Sequence, residues 1–261
     1  DQGWDRYLAT FFYTVILLAI FTTLHVAGLR LLAARAPDLE VPELLVFPNL
    51  EVLIASLMVP GLLFASAKLT VAPTCTDGEA GCVVVGVLTI LLVTIPFYGL
   101  ALVYVMLKNV LPGHVAHYQK AERDVRPRIL DANGEWEEAE EAAGFQTTYG
   151  LFYEGYKGPR PKLDPQTGSL IELKPTKYRL QALTGIVIMV LQGGASIASG
   201  ASEHKGEDND AIVAMVLALG VIKATWLWTL RPYTSHADQV VEGVSALAET
   251  VGVLAALCLS A

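Results

Sequence analysis

Five polar side chains stand inside stretches that are otherwise apolar enough to cross a bilayer: Glu51, Gln192, Lys223, Glu242 and Glu249. Ionisable groups in such places are costly and face partners or water, so they are where transport or proton chemistry would sit. With a rise of about 1.5 Å per residue, Glu51 and Lys223 each lie roughly 10 Å into the inner leaflet. Their matched depths on different helices allow an ion pair; snorkelling of each to the interface is the alternative. Glu249 falls about 18 Å from the inner face, too deep to snorkel, and Gln192 reaches a similar depth. Glu242 precedes Glu249 by one heptad, so the two share a helix face. They line either a polar path for cations or a packed seam in which Glu249 is protonated and hydrogen-bonded to a neighbour.

Other residue types offer less. Cys75 and Cys82 form a C-x6-C pair in or beside an extracytoplasmic loop, where a disulfide is the expected chemistry. Zinc is the rival, but two thiols with no nearby histidine leave it short of ligands. Cys258 is embedded in apolar sequence and reads as a core residue. Tyr149, Phe152, Tyr153 and Tyr156 recur at i, i+3, i+4 and i+7, one face of a helix, which predicts a short amphipathic helix along the inner surface. A loop whose aromatics pack under the bundle is the alternative. Upstream, the run from Glu135 to Glu141 reads as a solvated acidic helix or a disordered stretch, without the ligand spacing of a calcium loop. His114 and His117 stand three apart with no further ligand nearby. Neither a nucleophile elbow, nor a zinc-protease helix, nor a phosphate loop is present, so neither an enzyme nor a cofactor is expected.

The elements that must position these residues are membrane helices. Of the 261 residues 53% are hydrophobic and 17% charged, and mean hydropathy is +0.47, far from an ordinary soluble domain. A net charge of −8 excludes a nucleic-acid partner. Apolar runs near residues 8–32, 44–69, 83–111, 180–200, 211–230 and from 237 onward predict an all-α, polytopic bundle of about six transmembrane helices, with Pro60 and Pro96 as kinks. Gly193, Gly194, Ala195, Ser196, Ala198, Ser199 and Gly200 make the fourth run a close-packing helix. The predicted organisation is three helices over 1–112, a polar segment over 113–178, and three helices over 179–261.

Eleven of the 18 Lys and Arg residues lie in or beside the polar segment, which marks it as cytoplasmic and places the N-terminus outside. The chain opens at Asp1 without methionine and stops at Ala261 inside an apolar run, so it reads as a piece of a larger protein with an ectodomain upstream.

Two short motifs carry a resemblance. Residues Tyr149 to Lys157 read YGLFYEGYK ahead of a span, and Leu230-Arg231-Pro232-Tyr233 closes the next span but one. Together with the Phe47-Pro48 entry and the Pro60-Gly61 kink, this resembles the C-terminal transmembrane module of TRP-like proteins of algae, other protists and fungi. The likeness covers roughly Leu44 to Tyr233. It implies an integral membrane module of the plasma or ciliary membrane. Such a module anchors an extracellular domain or filament in the lipid bilayer, or serves beside other membrane subunits as a cation channel or transporter. One departure matters: Arg231 to Asp238 is too short for a pore loop and selectivity filter.

Overall fold

The structure is a computed structural model of the chain, and it describes residues 2–36, 45–46, 49–71, 80–112, 116–120, 134–139, 142, 144–159, 161–163, 170–172, 175–201 and 209–260. Helix α1 spans Gln2–Arg35, α2 Asn49–Val71 and α3 Ala80–Tyr98, which continues as a π-helix over Gly99–Val110. The polar segment follows with strands β1 (Ala116–Lys120) and β2 (Gly134–Glu138), a short helix α4 (Phe145–Tyr149) with a 3-10 turn (Gly150–Phe152), and strands β3 (Pro161–Leu163) and β4 (Leu170–Glu172). Helices α5 (Pro175–Ala182), α6 (Thr184–Ala201), α7 (Asn209–Leu230) and α8 (His236–Ser260) complete the chain.

Among the described residues, four helical segments are long and apolar enough to cross a membrane: Phe12–Arg35, Leu50–Thr70, Thr184–Ala201 and Asp210–Leu230. The predicted third span falls on α3 and its π-helical continuation, and the predicted sixth on α8, which carries Asp238, Glu242 and Glu249. Helix α2 runs through Pro60, and α3 runs through Pro96 before its register widens to i→i+5. The Leu111 amide, for example, donates to the Met106 carbonyl at 2.9 Å. A proline removes one i→i−4 bond and crowds the carbonyl below it; a wider turn accommodates both.

The chain divides into two compact units, residues 1–96 with 192–215, and residues 97–191 with 216–261. In the first unit, α2 is the buried helix, with Val59, Leu62, Leu63, Ala65, Ala67 and Leu69 inside and α1 packed along it. Polarity is inverted relative to a water-soluble fold. Phe12, Ile16, Leu24, Leu57 and Leu92 point outward, Leu57 at 73% exposure, while Glu51, Ser66, Lys68 and Thr89 are buried. A water-soluble monomer rarely exposes so continuous an apolar surface, whereas hydrocarbon solvates it without cost.

Small residues make the close approaches in this unit. A Cβ on Gly200 would run into the Phe64 carbonyl oxygen and come within 2.8 Å of Ala67 Cβ, and one on Gly86 would meet Thr70 Cγ2 and Ser66 O. Gly200 therefore acts as the small-residue pattern predicts. Gly200→Leu is expected to cost about 1–3 kcal/mol, the range for overpacking, with the carbonyl unable to yield. Thermal unfolding in detergent measures it; an unchanged Tm would show that α2 and α6 do not need this approach.

In the second unit, Ile188, Ala224, Leu227, Tyr233 and Ala246 form a core cluster against which Tyr156 and Trp226 pack. The polar segment folds onto its own aromatic centre. β1 and β2 pair antiparallel with Tyr118 opposite Trp136, and β3 pairs with β4. The expected acidic helix or disordered run at Glu135–Glu141 is thus corrected: residues through Glu138 form a strand. The reason is a period of two, with Glu135 and Glu137 exposed and Trp136 buried between them.

Candidate functional site: ion pairs and the motif junction

The five intramembrane polar residues are not gathered at one place. Glu51 accepts from or donates to His25, its Oε1 lying 2.5 Å from His25 Nδ1 across α1 and α2. The pair is nearly dry, with side-chain exposures of 13% and 10%. Glu51 Oε2 and His25 Nε2 are buried without hydrogen-bond partners among the described residues. Lys223 donates instead to Glu249 Oε2 at 2.8 Å, from α7 to α8. The Glu51–Lys223 ion pair that their depths allow does not form, and each residue has a different partner. Lys223 is buried while the Glu249 side chain is 56% exposed, so the carboxylate lies on the outer edge of the pair. Gln192 is exposed on α6, and Glu242 is half-buried on α8, where its charge bears on Tyr156 and Tyr233.

His25 escaped the sequence reading, although a histidine in an apolar span is itself the signal that would have found it. Cys75 lies outside the described residues and nothing is described of the Cys82 side chain, so the expected disulfide lies outside them too. The same holds for Phe47-Pro48. Cys258 is a free, exposed thiol, a correction to its expected core place. It sits on the last turns of α8, whose Val251 and Leu254 also face outward.

The aromatic set is the clearest departure. Tyr149, Phe152, Tyr153 and Tyr156 do not share the face of an amphipathic helix. The helix leaves α geometry at Tyr149 (φ −126°) and again at Tyr153 (φ −139°), within a stretch punctuated by Gly144 at φ 90°, Gly150 and Gly155. Glycine raises the entropy cost of continuing a helix, and tertiary contacts decide the outcome. Those contacts draw the rings inward. Tyr149 packs edge-on to Tyr104 with centroids 5.9 Å apart, Tyr153 against Trp136 at 4.9 Å, and Tyr156 against Tyr233 at 5.1 Å. Phe152 and Tyr153 are fully buried.

The two motifs behind the resemblance meet here. Tyr156 and Tyr233 form an antiparallel bridge. The Lys157 amide donates to the Pro232 carbonyl at 2.7 Å and the Thr234 amide to the Gly155 carbonyl at 3.0 Å. A helix C-terminus leaves four carbonyls without intrahelical partners. At α7 they are served by side chains: Gln239 Nε2 donates to Leu227 O at 2.9 Å, Gln181 Nε2 to Leu230 O at 2.7 Å, and Lys157 Nζ to Arg231 O at 2.9 Å. The lysine charge also complements the negative end of the helix dipole. Arg231 makes the turn at φ 50°, the left-handed C-cap geometry that usually falls to glycine. Burial, with the Glu242 charge adding to it, pushes the Tyr156 phenol up to about 12, although its hydrogen bond with Tyr233 pulls the other way; burial above all, with Tyr156, Glu242 and Asp238 nearby, holds Tyr233 higher still. Both phenols stay protonated at physiological pH.

Chemically, the arrangement offers two neutralised pairs and a rigid, capped turn. Among the described residues no group of three or more metal-ligating side chains comes together. The chain matches no family model, no curated protein and no solved structure.

Proposed function

We propose that the chain is a TRP-like multi-pass membrane module of six spans, with its polar segment inside and its N-terminus outside, that anchors an extracellular region or assembly in the bilayer. The observation that carries this reading is the Lys223–Glu249 pair. A cation path needs uncompensated negative charge, and the deepest carboxylate here is held by an ammonium 2.8 Å away. The outward apolar faces and the small-residue approach at Gly200 support a packed bundle in lipid. The stapling of YEGYK to the α7–α8 turn supports a stiff base. The TRP-like likeness supports it through those same motif residues, which this fold puts in contact.

A conducting bundle is the second reading, and His25–Glu51 favours it: a dry, titratable pair with an open nitrogen and an open oxygen can pass a proton. Reconstitution of the full chain in liposomes separates the two. The expected result is carbonate-resistant insertion, protection of residues 113–178 from external protease in intact cells, and no cation or proton flux above empty liposomes. Flux that Glu51→Gln abolishes while Tm holds would overturn the anchoring reading in favour of the second.

A further inference from the structure

A cavity of about 240 Å3 opens at the α7–α8 turn, beside the junction just described. It is lined by Lys157, Arg231 and His236 together with Trp228, Tyr233, Gln239 and Val240. Pockets that hold drug-sized ligands run from roughly 300 to 1,000 Å3, so this space is small for one. It equals the share of roughly eight waters at about 30 Å3 each, which suits a phosphate with its immediate ester substituents.

We propose that this cavity binds the phosphate headgroup of an anionic membrane lipid. Guanidinium and ammonium groups are the side chains that recognise phosphate, the first through its planar fork and the second as a point charge. Lys157 is fixed at the wall by its bond to Arg231 O, so its charge is already in place. The imidazole of His236 adds a donor to the same lining. Asp238 and Glu242 lie near enough to act on Tyr233, but neither lines the cavity. The exposed apolar members of the lining decide the source of the phosphate. Trp228 and Val240 face outward at 46% and 58% exposure, on the surfaces of α7 and α8 along which acyl chains would run. Trp is also the residue suited to the headgroup level. A soluble phosphate ester has no use for those apolar side chains; a lipid does. The inference rests on the membrane reading above for the lipid itself.

The test uses the full chain in neutral detergent, with thermal unfolding followed against dihexanoylphosphatidic acid, dihexanoylphosphatidylcholine and glycerol 3-phosphate. The acidic lipid is expected to raise Tm, and the other two are not. Arg231→Gly removes the guanidinium at a φ of 50° that glycine adopts freely, so the lipid-free Tm should fall no lower. Its apparent affinity for the acidic lipid should weaken about tenfold, or 1.4 kcal/mol. His236→Gln, on a different element, should weaken it in the same direction. Equal protection by the zwitterionic lipid, or full response in both variants, would overturn the site. Equal protection by glycerol 3-phosphate would overturn its lipid source. Flotation with liposomes keeps the premises apart: a chain that floats but does not discriminate sinks the site alone, and one that does not float sinks the membrane reading with it.

Discussion

Trp136→Ala is expected to unfold the polar segment, at a cost of about 3–5 kcal/mol. Trp136 joins three parts of that segment. Its ring packs edge-on against Tyr118 at 5.7 Å and Tyr153 at 4.9 Å, and its Nε1 donates to the Tyr156 carbonyl at 2.9 Å. Gly158 passes so close that a Cβ there would collide with the indole. Truncation would open a cavity and leave the Tyr156 carbonyl without its donor. Trp136→Phe separates the two terms, since it keeps most of the ring and loses only the hydrogen bond, for about 0.5–1.5 kcal/mol. Limited proteolysis of residues 113–178 and chemical unfolding would check both. A loss below 1 kcal/mol for the alanine variant would mean that the strands hold together without this centre.

The second large effect concerns Lys223. Glu249→Gln removes the carboxylate and leaves a buried ammonium with a weaker, neutral acceptor. Breaking a fully buried pair costs about 3–5 kcal/mol. The Glu249 side chain is more than half exposed, so a loss nearer 1–3 kcal/mol is expected once screening is allowed for. Lys223→Met combined with Glu249→Leu should recover most of it, because two apolar side chains need no desolvation. Lys223→Met and Glu249→Leu made singly, with the double variant, close a cycle by thermal unfolding. Additive losses, with no recovery in the double variant, would show that the two residues do not depend on each other.

Four long apolar helices were legible because about twenty consecutive apolar residues are a long, simple signal. Gly200 was legible for the same reason, since small residues at that spacing have few other uses in a span. Partner choice was not. The depth of Glu51 along its helix is a one-dimensional quantity, and His25 competes for it through the crossing of α1 and α2, which sequence spacing does not encode. The polar segment misled differently. Tyr149, Phe152, Tyr153 and Tyr156 fit a helical period, but two glycines lie among them and Trp136 and Tyr233 supply better partners off the helix. A single buried Trp136 likewise turned an acidic run into a strand, because one anchor outweighs the weak preference of its charged neighbours.

The bond from Thr234 to the Gly155 carbonyl joins residues 79 apart. In a bilayer, two backbone segments that share hydrogen bonds must lie on one side. The chain between them, which contains α5, α6 and α7, therefore crosses an even number of times. That parity argument owes nothing to the distribution of lysine and arginine. On the membrane reading proposed above, it makes α6 and α7 a pair that enters and leaves together, and it fixes when the junction can close. During synthesis, Tyr156 emerges long before Tyr233 and waits until the returning helix brings its partner to the same face. On that reading the junction marks the completed insertion of the helical pair, and a chain arrested before α7 would present the YEGYK segment with its amides and carbonyls still seeking a strand.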